Sequence, residues 1–167
     1  MIDAIKKRRS VREYLAESIP EEKIQEIIKA AMYAPSARAL YPWDLVVIRE
    51  AETKELLAKV TPWSTHAKDA DAIIVVVGQE KESPNWIEDG TIAAEHIWLE
   101  ATEQGLASCW IQVRGHENAE KSVKEILNIP EDHRVLCLMP LGVPAKLEEE
   151  HSEDDFDKKR IKYEKYK

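Results

Sequence analysis

The sequence predicts a layered fold of the α+β or α/β class. Stretches with apolar residues at helical spacing alternate with short β-branched runs, the pattern of helices layered on a sheet. The longest such run, "AIIVVVG" at 72–78, is apolar throughout, as expected of a strand covered on both faces. A length of 167 residues, with 44% hydrophobic and 34% charged residues, suits one soluble domain over 1–167.

A short helix is expected over 2–7, ending at a basic cluster. Over 20–33, Ile24, Ile27, Ile28, Ala31 and Met32 recur at helical spacing. Pro20 suits the first turn of that helix, Ser18 and Glu21 form a capping box, and Pro35 stops it. A strand at 45–48, a helix at 52–59 and the strand at 72–78 follow. The helix at 90–104 is apolar nearly all round, through Ile92, Ala93, Ala94, Ile97, Trp98, Leu99 and Ala101. Such a helix belongs in a centre, here one shared with a second subunit. Gly105 is expected to close it in a left-handed conformation. A strand (107–112), a helix (119–128) and a strand (134–143) complete the body. Residues 147–167 carry too little apolar content for a core and read as an arm, disordered or draped over a partner.

Composition excludes several classes. Lys+Arg 24 against Asp+Glu 32 gives a net charge of −8, which argues against coating nucleic acid. The apolar runs are too short for a membrane span. No apolar stretch follows the N-terminal charges, so no signal peptide and a cytoplasmic location are expected. Cys109 and Cys137 sit in apolar strands and read as buried structural thiols. The glycines at 78, 90, 105, 115 and 142 compose neither GxGxxG nor a P-loop. No HExxH or GxSxG motif occurs. Asp69 and Asp71 near His66 read as solvated residues rather than as a metal site or a base. With no metal site and no catalytic side chain in view, the chain is either not an enzyme or relies on a bound cofactor's reactivity.

One cluster stands against the acidic balance. In "KKRRSVREY", residues 6–14, Lys6, Lys7, Arg8, Arg9 and Arg12 surround Ser10. Arginine grips a phosphate through parallel charge-assisted hydrogen bonds, so a phosphate-bearing ligand is the natural partner.

"RRSVREY" at 8–14, "APSARALYPW" at 34–43, "DGTIAAEHIWLEATEQGLASCWI" at 89–111, "PLGVPA" at 140–145 and "DDFDKKRIKYEKY" at 154–166 together resemble the FMN-dependent nitroreductase family. The resemblance covers the whole chain in order. It implies a central, mostly antiparallel sheet flanked by helices, in a homodimer that exchanges C-terminal arms. It further implies FMN as cofactor, NAD(P)H as transient electron donor, and a small-molecule acceptor such as a nitroaromatic or quinone. Reduction would run by ping-pong hydride transfer through flavin N5. A specialised member (dehalogenase, dehydrogenase or flavin-processing), an FMN-binding protein without turnover, and a module for another phosphate ligand remain as alternatives.

By the same resemblance, Arg8, Arg9, Ser10 and Arg12 hold the cofactor phosphate, with Arg160 added from the arm. Pro35, Ser36, Ala37, Arg38 and Ala39 lie beside the cofactor, commonly the one held by the other subunit. The family usually carries Asn and Gln where this chain has Ala39 and Tyr41; Tyr41 either stacks near the ring or packs in the dimer interface. The backbone of Val113, Arg114 and Gly115 would pass over flavin N5 and O4, with the Arg114 and Gly115 N–H groups as donors. Leu141 and Gly142 would let the chain pass close to the cofactor. Arg38, His66 and Lys68 are the candidates for positive charge at N1 and O2.

Overall fold

The computed structural model describes residues 1–166. Ten principal elements follow in order: α1 (Asp3–Lys7), α2 (Glu21–Met32), β1 (Trp43–Ile48), α3 (Ala51–Leu57), β2 (Ala72–Gly78), α4 (Trp86–Glu103), β3 (Ala107–Ser108), β4 (Ile111–Gln112), α5 (Glu117–Leu127) and β5 (Arg134–Gly142). The strands form one sheet in the order β1-β2-β5-β3, with β4 also on β5, and these strand pairs are antiparallel. This is the α+β, mostly antiparallel architecture, with helices on both faces.

The period of two along β2 divides the interior. Ile74 and Val76 point into a core with Ile24, Ile27 and Ala31 of α2 and Ala93, Ala94 and Ile97 of α4. Ile73, Val75 and Val77 point the other way, onto Leu57, Ala119 and Val123. Each buried Ile or Val contributes about 1.5–3 kcal/mol relative to exposure. The run at 72–78 is apolar throughout because both sides are covered.

Helix α4 begins at Trp86, four residues before the expected start, and it is not uniformly buried: Ile92 is exposed. It ends as expected. Gly105 takes φ 74°, Leu106 N–H reaches Ala101 O at 2.8 Å and Gly105 N–H reaches Thr102 O at 3.1 Å. These two bonds close a Schellman motif. Among the described residues, no helix is long and apolar enough to cross a membrane.

Three expectations are corrected. The Ser18–Glu21 capping box does not form: Pro20 is the N-cap of α2, and both side chains accept instead from Arg49, at 3.0 and 3.2 Å. A long-range cation has outcompeted a local pattern. Asp71 is not solvated, since its Oδ2 accepts from Arg49 at 2.7 Å and from Ile19 N–H at 3.1 Å. The strand at 107–112 is two strands, which pair at separated registers of β5, Ser108 on Leu141 and Ile111 on Leu138.

Candidate functional site

Residues 8–14 run along the sheet as an outlying strand. Ser10 bridges Ser108, Tyr14 bridges Pro144, and Val11 N–H donates to Ser108 O at 3.0 Å. Tyr14 fixes the bend by donating from its hydroxyl to Val11 O at 2.8 Å. Burial pushes that phenol well above its ordinary pKa. The Tyr14 ring lies on Gly142, where an added Cβ would come within 2.5 Å of it. Gly142 is therefore a glycine that seats Tyr14. Leu141 is fully buried beside it in β5, and its side chain belongs to the core.

The three arginines of this segment differ in their freedom. The Arg8 guanidinium lies 4.5 Å from the Trp98 ring centroid, with Nη2 at 3.5 Å from His151 Nε2. Arg9 donates to Glu149 O at 2.8 Å. Arg12 is exposed and, among the described residues, its guanidinium bonds only to Ser10 O, at 3.4 Å. Residues 149–151 are laced onto this segment, with His151 N–H on Lys6 O at 2.9 Å and Lys6 on Glu150 at 2.8 Å. Arg160 sits further along, exposed, with its Nε 3.5 Å from Asp157 Oδ2 in its own turn; among the described residues it makes no ion pair or hydrogen bond to residues 8–12.

Two buried polar atoms nearby lack partners among the described residues: Ser108 Oγ and His66 Nε2. Burial and then the Arg12 charge lower the His66 pKa, so the ring is neutral at neutral pH. A buried polar atom left unpaired is unfavourable by about 1–3 kcal/mol. The cysteines are inert by comparison. Burial raises both the Cys109 and Cys137 thiols, the latter well above its ordinary value.

The second candidate segment is the loop after α2. Pro35 is exposed, Ser36 and Ala37 half-buried, and Arg38, Ala39, Leu40 and Tyr41 exposed. Arg38, Ala39 and Tyr41 all take left-handed φ, at 57°, 54° and 51°. Each such non-glycine conformation costs on the order of 1 kcal/mol or more. The Tyr41 ring meets Trp43 edge-on, with centroids 5.7 Å apart. Beneath the loop lies the carboxylate of Asp89 in α4, which the sequence reading passed over. An acid in the first turn, among the buried positions of an apolar helix, was the available signal.

The third segment follows β4. The Val113 and Arg114 amides both donate to Leu136 O, at 3.3 and 3.1 Å. The Arg114 N–H is thus bonded to the sheet. Gly115, at φ 86°, turns the chain outward with nothing within 4 Å of a Cβ position. The Arg114 side chain lies toward Trp86, 6.0 Å from its centroid.

The basic segment, the strained loop and the left-handed glycine turn are all carried by one antiparallel sheet of an α+β fold. Among the described residues no cluster of His, Cys, Asp or Glu suits a metal ion. The nitroreductase family's sequence profile matches residues 5–86 and 61–143, and the chain belongs to that family. It is 37% identical to a Methanothermobacter thermautotrophicus protein provisionally named an NADH dehydrogenase/NAD(P)H nitroreductase, over 99% of this chain and 87% of that one. A similarly named Archaeoglobus fulgidus protein is 35% identical over 95% and 94%. The solved FMN-dependent nitroreductase of Clostridium difficile R20291 superposes with a TM-score of 0.96 at 34% identity, covering 99% of this chain and all of that one.

Proposed function

We propose that this chain is an FMN-dependent oxidoreductase that uses NAD(P)H to reduce nitroaromatics, quinones or related electron-poor acceptors, as a homodimer in the cytoplasm. The observation that carries the reading is the segment 8–12. It offers cationic and hydroxyl donors in Arg8, Ser10 and Arg12, a donor set that fits a phosphate monoester. FMN, when bound, supplies reversible two-electron chemistry between a nicotinamide donor and the acceptor.

The chain's own residues bind and orient. Arg12 and Ser10 would grip the phosphate, with Arg8 held ready over Trp98. Gly115 would offer its amide at the edge of the ring. The loop 36–41 would wall the site, with Tyr41 setting acceptor size. His66, neutral, would add a hydrogen bond rather than a charge. The names of the relatives support the donor and the cofactor. The exposed Tyr33, Leu40 and Tyr41, and the exposed Phe156 and Tyr163 of the arm, support burial against a second copy that exchanges arms.

The test is spectroscopic. Purified protein should be yellow, or become so with added FMN, and NAD(P)H should bleach it until a quinone restores the colour. A colourless protein that takes up no FMN would sink the proposal; a yellow one that NAD(P)H never bleaches would leave a flavin binder without turnover.

A further inference from the structure

The loop 36–41 poses a physical question. Three non-glycine residues hold left-handed backbone, yet Arg38, Ala39, Leu40 and Tyr41 are exposed, so burial of their own side chains does not hold them there. The answer lies in a hydrogen-bond chain. Asp89 is 4% exposed. Its Oδ1 accepts from Ala37 N–H at 3.0 Å and its Oδ2 from the Ser36 hydroxyl at 3.1 Å. The same hydroxyl oxygen accepts from Tyr41 N–H at 2.8 Å. The loop is thereby closed across its mouth, from Tyr41 through Ser36 to Asp89. The carboxylate lies in the first turn of an 18-residue helix, where the helix dipole favours negative charge. Its donors are neutral, so the charge strengthens both bonds.

We propose that Asp89 is a positioning residue for the cofactor: it holds Ser36–Tyr41 in the strained conformation that walls the site before any ligand arrives. The assignment to a cofactor rests on the function proposed above; the clamp on the loop does not. Strain in an exposed loop, maintained by a buried charge, is the signature of a preorganised binding surface. Asp89 is buried beneath the loop and on this proposal acts only through it.

Four full-chain variants test this: Asp89→Ala, Asp89→Asn, Ser36→Ala and the double Asp89→Ala/Ser36→Ala. Hydrogen exchange of Ala37 and Tyr41 is read without ligand, and FMN affinity is read by quenching of flavin fluorescence. Asp89→Ala should speed exchange at both amides and weaken FMN binding, each about tenfold or more, the worth of a lost charge-assisted bond. Asp89→Asn keeps a carbonyl acceptor and should recover part of both losses. Ser36→Ala alone should release the Tyr41 amide, and it serves the test should Asp89→Ala fail to fold. The double variant should be no worse than Asp89→Ala, because the groups form one chain. A folded Asp89→Ala protein that melts earlier yet keeps its loop exchange and FMN affinity would overturn the proposal, as would equal losses in Asp89→Asn and Asp89→Ala. If the native chain itself takes up no FMN, the proposed function fails, and loop exchange alone still decides for or against the clamp.

Discussion

Two sets of arginines in this molecule have opposite surroundings. Arg134 meets Glu120 bidentately, Nε to Oε1 at 2.8 Å and Nη2 to Oε2 at 3.0 Å, with Glu80 alongside at 3.2 Å. Arg49 is held by Asp71 and Glu21. Arg8, Arg9 and Arg12 bond instead to an imidazole and two carbonyls. In a chain with eight more acids than bases (32 against 24), carboxylates are not scarce. Among the described residues the N-terminal arginines make no carboxylate ion pair within 4.0 Å, although Arg8 acts on Glu95 and Arg9 on Asp155 at longer range. Arginines that brace the sheet are neutralised internally, and those at the segment 8–12 are the ones proposed above to meet a phosphate.

The comparison breaks if the two sets respond alike to substitution. The largest effect should come from Glu120→Ala. It leaves Arg134 only its exposed partner Glu80 and removes the acceptor of the buried Val135 N–H, at 3.0 Å, so unfolding in denaturant should show a loss of about 3 kcal/mol. FMN affinity of the folded protein should not change. The pH dependence follows from the same site. Burial acts to raise the Glu120 pKa, but Arg134 and the Val135 N–H outweigh it, so the folded value lies below the usual carboxylate range. Its contribution is therefore full above the unfolded value, about pH 4.3, and is lost as pH falls through the lower folded value. An acid titration of stability should show this inflection, and Glu120→Ala should lack it.

Gly142→Ala should come next. The new methyl displaces the Tyr14 ring, and overpacking of this kind costs about 1–3 kcal/mol. Because Tyr14 seats the segment that carries Arg12, thermal melting and FMN affinity should fall together, which joins the two halves of the comparison. Arg12→Ala should separate them: FMN affinity falls about tenfold, the worth of one charge-assisted bond, with an unchanged melting temperature. The loss should shrink as salt rises. Glu150→Ala should do least. It breaks an exposed pair with Lys6, and neither melting nor affinity should move measurably. A drop in melting for Arg12→Ala larger than that for Glu120→Ala would invert the assignment of bracing and free arginines.

The residues differ in how openly they announced their roles. The run at 72–78 carried both faces of its strand, because a period-two strand with no polar residue has no wet side. Gly105 announced its Schellman turn, since a glycine after an apolar helix has few other uses. The cluster at 8–12 was visible as charge against an acidic background. What stayed hidden depended on partners far along the chain. Ser18 and Glu21 matched a local capping pattern, and only Arg49, some thirty positions on, diverted them. Asp89 looked like one more acid at a helix start until Ser36 and Ala37, 53 and 52 positions before it, closed on it. The bond from the Arg114 amide to Leu136 O likewise joins positions far apart in the chain. Gly142 matched a motif correctly, but its open side was filled by a ring from position 14.

The bridges from Ser10 to Ser108 and from Tyr14 to Pro144 carry a consequence for biosynthesis. The residues proposed to grip phosphate leave the ribosome about a hundred positions ahead of the strands that seat them. At roughly 5–20 residues per second they wait several seconds without a sheet to lie on. Their pairing closes one of the longest loops in the chain, a step whose entropy must be met before any contact rewards it. Flavin uptake then reports on a finished chain: a nascent or truncated one that lacks residues 107–144 carries Arg8, Arg9 and Arg12 and still has no place to hold them.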